Sequence, residues 1–411
     1  MTRNQEHLAI YHQLMWPLFD PPLALDHGQG VNVWDVDGNQ YVDLLSGIGV
    51  NVIGHAHPKW VEAITKQASK LAHVSGLFTT YPQLELAVTL ATTFNLPPTA
   101  RLFFANSGTE ANEAALKVAL RQGRQRILAL EGSFHGRSQG SLSMTSKLVL
   151  RRGFEAFQGP VDFLPFGDLT ALEQALQQDD VAALIVEVIQ GEAGVQQLPV
   201  NYLAQARRLT SEHGALLMID EVQTGMGRTG TWLAYQNPAL VGSEPITPDV
   251  VTLAKGLGGG FPIAACIALT SQAAGALGPG DHGTTNGGNP LGCAAALAAI
   301  DIIKQENLLE HAVKLGQHWA TNLGNLPGVT QVRGQGLMIA LELDRPVAAA
   351  VVTGARQAGY LINATGPSTV RLLPPLILPF TQADAFTAAL PQIIAKASVE
   401  AMANQPAQEA V

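Results

Sequence analysis

The segment NYLAQARRLTSEHGALLMIDE, residues 201–221, combines a helix and a buried strand in a single unit. Residues 201–213 favour a helix, and the short apolar run that follows them has the length of a strand. An apolar strand that lacks alternating polar residues is typical of a parallel sheet with helices on both faces. The segment therefore predicts an α/β fold.

Similar short apolar runs occur on both sides of this unit, separated by helical segments such as EANEAALKVALRQ at 110–122. The runs are RLFFAN at 101–106, RILALEG at 126–132, AALIVEV at 182–188, DVVTLAK at 249–255 and IAACIALT at 263–270. Their alternation with helices predicts repeated βα units and a mostly parallel sheet. Ligands of such sheets bind at the carboxyl ends of the strands, so we expect the functional residues there.

The flanking regions contain further elements. At 31–45, VNVWDVDGNQYVDLL alternates apolar and polar residues around an Asp-Gly pair, which predicts a β-hairpin. Apolar residues at helical spacing predict helices over 58–71 and 82–94. A long helix is expected to start near Pro290, and GVTQVRGQGLMIALEL at 328–343 favours strands and turns.

The length of 411 residues is sufficient for two domains, because one hydrophobic core rarely grows beyond ~250–300 residues. We expect a large domain at 58–300. A smaller α+β domain is expected from residues 1–57 and 301–403. The polar, Ala-rich tail at 404–411 is expected to be frayed.

Composition excludes several classes of protein. The net charge of −9 argues against binding to nucleic acid or to an anionic membrane surface. Cys266 and Cys293 are the only cysteines, which excludes a disulfide framework, and no zinc signature appears around His55, His57 or His282. We assign no metal and expect these histidines in turns or packing positions. With no apolar run of ~18 residues and no export signal, we expect a cytoplasmic protein.

A turn suited to phosphate binding follows the run RLFFAN. Ser107, Gly108 and Thr109 lie between this strand and the next helix. Glycine permits close approach, and the unpaired N–H groups and dipole of a helix N-terminus favour an anion. The same residues also suit an ordinary helix N-cap, which this segment alone favours. The phosphate site therefore depends on the other motifs.

Two other strands end in charged residues. ALLMIDE ends in Asp220 and Glu221, where a carboxylate can pair with a cationic heterocycle or simply stabilise a turn. DVVTLAK ends in Lys255, and four of the next five residues are glycine. Most lysines are solvated, but one that ends a buried strand beside unhindered backbone favours a desolvated amine that forms a Schiff base.

One pattern suggests a different cofactor. Gly225, Gly227 and Gly230 satisfy G-x-G-x-x-G, the signature of a dinucleotide site. The preceding strand ends at Asp220, which is too early for that fold. We therefore reject the dinucleotide site.

Six motifs occur together along the chain: SGTEANEA at 107–114, FHGR at 134–137, QGEAG at 190–194, IDEVQTGMGRTG at 219–230, LAKGLGGGFPIAA at 253–265 and HGTTNGGNPLGCAAA at 282–296. Their order and spacing resemble those of the class III aminotransferases. The resemblance extends from GHAHP at 54–58 to RLLPPL at 371–376, and is closest to the acetylornithine/ornithine branch.

The resemblance implies a type I pyridoxal-phosphate fold, with a mostly parallel sheet in the large domain. It also implies a homodimer in which both subunits build each active site. The implied cofactor is pyridoxal 5′-phosphate, bound to Lys255, which later moves a proton to and from the substrate. Asp220 resembles the carboxylate that keeps the pyridine nitrogen protonated, so that the ring accepts electrons.

The resemblance also implies the remaining cofactor contacts. Phe134 would stack on the ring, and Gln223 would contact its phenolic oxygen. The phosphate would be bound by the turn at 107–109 and by Thr285 of the neighbouring subunit. Glu221 and Val222 would form part of the cofactor wall.

Four residues resemble the family's substrate contacts. Arg137 resembles the arginine that binds the substrate carboxylate, and Thr284 a contact across the dimer. Arg371 resembles a second arginine, which receives the carboxylate at the reacting end of 2-oxoglutarate. Glu192 would cover Arg371 when the amino donor has no charge at that end, which implies dual specificity.

Three positions depart from the usual sequence of this branch. Gly76 replaces asparagine, Tyr81 replaces glutamate and Asn286 replaces an aromatic residue. In the family these positions lie near the substrate entrance. They therefore bear on the identity of the amino donor more than on the cofactor chemistry.

The resemblance implies transfer of a terminal amino group, favouring N-acetylornithine or a similar acylated diamino acid, to 2-oxoglutarate. The products are a semialdehyde and glutamate, formed by a ping-pong mechanism in arginine biosynthesis. Ornithine, succinyl-diaminopimelate, 4-aminobutyrate and other ω-amines remain alternative donors. An aminomutase or decarboxylase on the same scaffold, and a cofactor-binding protein without turnover, are further alternatives.

Overall fold

The computed structural model describes residues 1–403, so the predicted fraying of 404–411 lies outside the described residues. We number strands and helices in chain order. The strands are β1 Leu25–Gln29, β2 Asn32–Asp35, β3 Gln40–Asp43, β4 Arg101–Ala105, β5 Arg126–Leu130, β6 Val161–Leu164, β7 Val181–Val186, β8 Ile189–Gln190, β9 Gln196–Gln197, β10 Leu216–Asp220, β11 Val250–Leu253, β12 Ala264–Ala268, β13 Val329–Gln335, β14 Met338–Leu343, β15 Tyr360–Leu361, β16 Asn363–Ala364 and β17 Thr369–Leu372.

The helices range from single turns to long rods. They are α1 Arg3–Leu14, α2 Ser46–Gly49, α3 Pro58–Ala68, α4 Tyr81–Thr93, α5 Gly108–Leu120, α6 Gln139–Ser143, α7 Leu148–Arg151, α8 Leu169–Leu176, α9 Tyr202–Glu212, α10 Pro238–Val241, α11 Ser271–Ala274, α12 Pro290–Gln305, α13 Leu308–Gly324, α14 Ala348–Gln357 and α15 Phe380–Ala403. Within residues 1–403, none of the helices combines the length and the apolar character needed to cross a membrane.

A seven-stranded sheet in the order β4-β12-β11-β10-β7-β5-β6 forms the centre of the fold. Strand β12 runs antiparallel to its neighbours β4 and β11, and the other neighbouring pairs are parallel. The α/β fold with a mostly parallel sheet is therefore confirmed. Two features were not predicted: the reversed direction of β12, which periodicity does not encode, and the short strand β6.

The apolar strands are buried on both faces of this sheet. In β10, Leu217 and Ile219 belong to one apolar cluster, whereas Leu216 and Met218 belong to a second. Helix α9 contributes to the first cluster and helix α5 to the second. Since successive strand residues point to opposite faces, helices on both sides explain the absence of polar alternation.

The N-terminal and C-terminal segments meet in a second sheet. The predicted hairpin is present as β2 and β3, which pair antiparallel. Strand β3 also pairs in parallel with β15, from the other end of the chain, in the sheet β1-β2-β3-β15. A further antiparallel sheet, β13-β14-β17-β16, includes the strands expected over 328–343.

Candidate active site

A cavity of about 460 Å³ opens at the carboxyl edge of the seven-stranded sheet. Five strands of this sheet end at or just before the residues that line it. These residues are Ser107, Gly108 and Thr109 after β4, Phe134 and Arg137 after β5, Glu187 after β7, Asp220 at the end of β10 and Lys255 after β11. The volume is in the range of small-molecule sites. Separate strands thus bring together the residues that the motifs predicted, and Glu187, which the motifs did not single out, joins them.

The N-terminus of α5 forms one end of the cavity. Ser107 is its N-cap, and the Ser107 hydroxyl accepts a hydrogen bond from the Glu110 N–H at 3.4 Å. The Glu110 carboxylate in turn accepts a hydrogen bond from the Asn106 N–H at 2.7 Å. The ordinary helix cap is therefore present, and the next backbone N–H groups, having no partner within the helix, remain suited to an anion.

The Thr109 side chain fixes the neighbouring loop. Its Oγ1 accepts hydrogen bonds from the backbone N–H groups of Arg137 at 3.3 Å and Ser138 at 3.1 Å. It also lies 2.5 Å from the Ser138 hydroxyl. The hydroxyl thus connects the start of α5 to the loop after β5.

Asp220 is buried and hydrogen-bonded through both of its oxygens. Oδ1 accepts a hydrogen bond from the Val222 N–H at 2.9 Å, and Oδ2 lies 2.8 Å from both Asn112 Nδ2 and His135 Nδ1. Thr252 donates a hydrogen bond to Asn112 Oδ1 at 2.7 Å, which fixes the orientation of the amide. A carboxylate offers about four lone pairs. Three donors hold Asp220, and one acceptor position remains for a ligand N–H.

Lys255 follows β11 after one intervening residue, Ala254, and its backbone is unusual. Its φ is +45°, in the left-handed region that side chains rarely adopt. Such strain is concentrated at functional sites. Burial lowers the pKa of Lys255 to about 8, and the charge of Arg371 acts in the same direction, against Glu192 and Asp220. Near neutral pH, a larger fraction of this amine is therefore uncharged and nucleophilic than in a solvated lysine.

The glycines after Lys255 serve mainly for packing. A Cβ on Gly256 would lie 2.7 Å from Val52 Cγ1, and one on Gly258 would lie 1.9 Å from the Phe261 carbonyl oxygen. Gly260 alone of these glycines lines the cavity. Sequence reasoning expected unhindered backbone after Lys255; within this run Gly260 reaches the cavity, and the other glycines are needed for close packing.

The loop after β5 carries an aromatic ring and a cation. Phe134 and Arg137 line the cavity, and Arg137 Cζ lies 5.7 Å from the centre of the Phe134 ring. The Phe134 N–H donates a hydrogen bond to Glu187 Oε1 at 3.0 Å. Burial raises the pKa of Glu187 to about 7, and Asp220 adds to this effect.

Arg371 and Glu192 form an ion pair beside the cavity. Arg371 is fully buried on β17, and its Nη1 donates hydrogen bonds to Glu192 Oε1 at 2.7 Å and Gln223 Oε1 at 3.2 Å. Burial would raise the pKa of Glu192, but the charge of Arg371 and its hydrogen bond, together with the charges of Lys255 and Lys147, lower the pKa. Arg371 Nη2 has no hydrogen-bond partner among the described residues. The guanidinium therefore keeps one donor for a second anion.

Glu221 does not face the cavity. Its carboxylate accepts hydrogen bonds from the Thr224 hydroxyl at 2.5 Å and the Tyr235 N–H at 2.8 Å, and its exposed fraction is 0%. The prediction that Glu221 forms part of the cofactor wall is corrected, because successive side chains of an extended segment point to opposite sides. Val222 and Gln223 do line the cavity.

The residues expected from a neighbouring subunit lie outside this chain's own cavity. Thr284 accepts a hydrogen bond from Asn106 Nδ2 at 3.2 Å, and Thr285 is exposed. Gly76, Tyr81 and Asn286, which depart from the family pattern, are exposed too.

Sequence reasoning missed Asn112, His135 and Glu187, which all line the cavity. Asn112 and His135 lie within quoted motifs, yet nothing in their spacing indicates that both reach Asp220. Glu187 follows an apolar strand as Asp220 does, and this similarity was the available signal.

The patterns that received no assignment have structural roles. A Cβ on Gly230 would lie 2.3 Å from Val313 Cγ2, so this glycine permits packing beneath α13. His55 Nε2 lies 2.8 Å from Asp43 Oδ2, and His282 packs on Phe103 with ring centres 4.7 Å apart. Over residues 1–403, no group of three or more potential ligands could hold a metal ion.

Comparison with known proteins gives consistent matches over nearly the whole chain. Residues 19–394 match the family described as aminotransferase class-III. The chain is 48% identical to acetylornithine aminotransferase of Mycolicibacterium smegmatis, covering 91% of this chain and 94% of that protein. It is 43% identical to acetylornithine aminotransferase of Bifidobacterium longum, covering 95% and 96%.

Solved structures are similar over the same range. Ornithine aminotransferase from Toxoplasma gondii, a structure described as having partial occupancy of PLP at the active site, superposes with a TM-score of 0.89 at 30% identity, covering 96% of this chain and 95% of that one. Acetylornithine aminotransferase from Elizabethkingia anophelis gives a TM-score of 0.84 at 32% identity, covering 96% and 100%.

Proposed function

The chain belongs to the class III aminotransferases, enzymes that use pyridoxal phosphate, and on that premise we propose that its amino donor is N-acetylornithine. The terminal amino group of this donor, or of a similar acylated diamino acid, is transferred to 2-oxoglutarate. The products are the semialdehyde and glutamate, and the mechanism is ping-pong. This reaction would serve arginine biosynthesis.

The pairing of Arg371 with Glu192 carries this proposal. The acceptor 2-oxoglutarate has a carboxylate next to its reacting carbonyl carbon, whereas the reacting δ-amine of N-acetylornithine is attached to a CH2 group with no charge beside it. A buried arginine would be costly beside that donor unless a carboxylate neutralised it. Glu192, 2.7 Å away, supplies this charge and is half-buried at the cavity, so it can move aside for the acceptor.

The residues of the cavity fit pyridoxal phosphate. A Cβ on Gly108 would lie 2.8 Å from Val222 Cγ1, so glycine keeps the helix N-terminus and the cavity wall in close contact. We propose that the turn at 107–109 holds the phosphate, that Phe134 stacks on the ring and that Gln223 contacts the phenolic oxygen. Asp220 would hold the ring nitrogen and Lys255 the aldehyde carbon. When bound, the cofactor supplies an electron sink for the carbon that carries the amine.

The chain's own residues supply positioning and proton transfer. Lys255 Nζ, with its lowered pKa, can take a proton from the amine-bearing carbon of the donor and return it. Asp220 is held by three hydrogen-bond donors and keeps one acceptor position, with which it would hold a proton on the ring nitrogen. Arg137 is exposed at the cavity mouth, where its planar guanidinium suits the α-carboxylate of the donor.

We propose a homodimer in which Thr284 and Thr285 reach the partner's cavity. Two observations support it: Thr285 is exposed on its own chain, and large apolar side chains near α4, including Leu77 and Phe78, are 85% and 69% exposed. An exposed apolar patch of this kind marks a protein interface.

We also propose that the chain folds as a large domain at 58–300 and a small domain from 1–57 and 301–403. The pairing of β3 with β15 supports this division. A cytoplasmic location is proposed as well, and the buried unpaired Cys266 and Cys293 support it.

A donor panel with the purified holoenzyme tests the function. Glutamate formation from 2-oxoglutarate is measured with N-acetylornithine, ornithine, succinyl-diaminopimelate and 4-aminobutyrate. The proposal requires the highest kcat/KM with N-acetylornithine, and an equal value with 4-aminobutyrate would reject it. Ornithine is the second candidate, because structures of ornithine aminotransferases are similar to this chain. Product that forms without any 2-oxo acid would instead indicate an aminomutase or decarboxylase.

A further inference from the structure

Glu187 is a buried carboxyl group that the proposed chemistry does not use. It lies directly after β7, at the carboxyl edge of the sheet, and it lines the cavity although only 5% of it is exposed. Burying a carboxyl group costs free energy unless its oxygens are hydrogen-bonded. Its hydrogen-bond partners therefore indicate why it is there.

The two oxygens of Glu187 contact two different loops. Oε1 accepts a hydrogen bond from the Phe134 N–H at 3.0 Å, in the loop after β5. Oε2 accepts a hydrogen bond from the Gly191 N–H at 3.4 Å, in the turn that carries Glu192. One side chain thus bridges the aromatic face of the cavity and the residue that covers Arg371.

The turn at Gly191 is also confined on its other side. A Cβ on Gly191 would lie 1.9 Å from Gln223 Oε1, and the same oxygen accepts a hydrogen bond from Arg371 Nη1 at 3.2 Å. The backbone next to Glu192 is therefore held between Glu187 and Gln223. Loss of either support would alter where the Glu192 carboxylate lies relative to Arg371.

We infer that Glu187 is a positioning residue for substrate selection, because it fixes the turn that places Glu192 over Arg371 while it also fixes the backbone of Phe134. This inference rests on the proposed function of Glu192 and Arg371. It assigns Glu187 no contact with the reacting atoms. Its effect on the reaction is transmitted through the two backbone N–H groups.

Two substitutions of Glu187 remove its hydrogen bonds to Phe134 and Gly191 to different extents. Glu187→Gln keeps the shape of the side chain but leaves a single acceptor oxygen, whereas Glu187→Ala removes both acceptors. Glu131→Gln, an exposed carboxyl in the same loop as Phe134, is the matched control. Hydrogen exchange of the Phe134 and Gly191 amides is measured in each holoprotein, together with KM for N-acetylornithine and for 2-oxoglutarate.

In the Gln variant, we expect exchange to accelerate about tenfold at one of the two amides, the size expected for one lost hydrogen bond. In the Ala variant, both amides should accelerate. KM for the donor should rise several-fold in each variant whose Gly191 amide exchanges faster, while KM for 2-oxoglutarate stays within about twofold, because a displaced Glu192 covers Arg371 less well. If Glu187→Ala does not fold, Glu187→Gln alone carries the test.

Exchange rates in the Glu187 variants that match those of the Glu131→Gln control would overturn the inference. An unchanged donor KM in a variant whose Gly191 amide exchanges faster would overturn it too. A uniform loss of protection across the protein would overturn it as well, since that indicates only lower stability. The exchange measurement does not depend on turnover. Poor turnover of N-acetylornithine by the unmodified enzyme would count against the proposed function. Accelerated exchange at the two amides in the Glu187 variants would still show that Glu187 holds both loops.

Discussion

His135 Nδ1 lies 2.8 Å from Asp220 Oδ2, and the side chains are 0% and 4% exposed. Asn112 donates to the same oxygen and to the His135 carbonyl oxygen. Asp220 is therefore not a single acid at a strand end but the centre of a buried polar network. Because buried networks are costly when only partly satisfied, the contacts around Asp220 should be sensitive to small changes.

Asn112→Leu is expected to loosen the position of the Asp220 carboxylate. The substitution removes a donor and leaves the buried Thr252 hydroxyl without its acceptor. A hydrogen bond to a charged group is worth ~1.5–3 kcal/mol, so kcat should fall about ten- to a hundredfold. Thr252→Val removes only the outer hydrogen bond and should cost less. An unchanged pH dependence of the absorbance of the bound cofactor in Asn112→Leu would contradict this role.

Lys255→Ala is expected to abolish covalent attachment of the cofactor while leaving the fold intact. The sheet and the glycine packing shape the cavity without the lysine side chain. Intact mass after borohydride reduction and dialysis should show no cofactor adduct, whereas the unmodified protein should carry one on Lys255. Circular dichroism should show little change in secondary structure. An adduct that persists in the variant would place the attachment elsewhere.

The rate of cofactor attachment to Lys255 is expected to depend on pH with a midpoint near 8. Burial lowers the pKa of this amine to about 8 from 10.5. The amine is charged and unreactive below the midpoint and becomes a nucleophile as the pH rises through it. The second-order rate of reconstitution from apoenzyme should therefore rise between about pH 7 and 9 and then level off. A rate that still rises tenfold per pH unit above 9 would contradict the lowered pKa.

The sequence predicted the sheet well because each strand is a local apolar run between helices. It also placed Lys255, Asp220 and the turn at 107–109 at strand ends, where the structure brings them to one cavity. It could not predict which way a side chain points after a strand ends. For this reason the burial of Glu221 was not predicted. The hydrogen bond between Asn112 and Asp220 was not predicted either, because the two residues are too distant in the chain for a local pattern to reveal it.

Glu192→Ala is expected to change donor preference more than cofactor binding. Without Glu192, the buried Arg371 keeps its charge and attracts donors that carry a carboxylate at that end. The ratio of kcat/KM for N-acetylornithine to that for glutamate should fall at least about tenfold, since one buried ion pair is lost. Glu192→Asp is the control, because it keeps the charge. An unchanged ratio would show that Glu192 does not control access to Arg371.

Gly108→Ala is expected to weaken cofactor binding through a single clash that a second substitution relieves. The new Cβ would lie 2.8 Å and 3.0 Å from the two methyl carbons of Val222 but 3.5 Å from its Cβ. The first two distances are below normal contact, so either α5 or the cavity wall must shift, and the dissociation constant of the cofactor should rise about tenfold or more. Val222→Ala removes both methyl carbons and leaves only the ordinary 3.5 Å contact. The double variant should therefore bind the cofactor more tightly than Gly108→Ala alone, although Val222→Ala by itself should weaken binding slightly by removing part of the wall. Fluorescence titration of the four apoproteins gives the interaction free energy directly. Additive effects would mean that Gly108 is needed for its backbone near the phosphate and not for its contact with Val222.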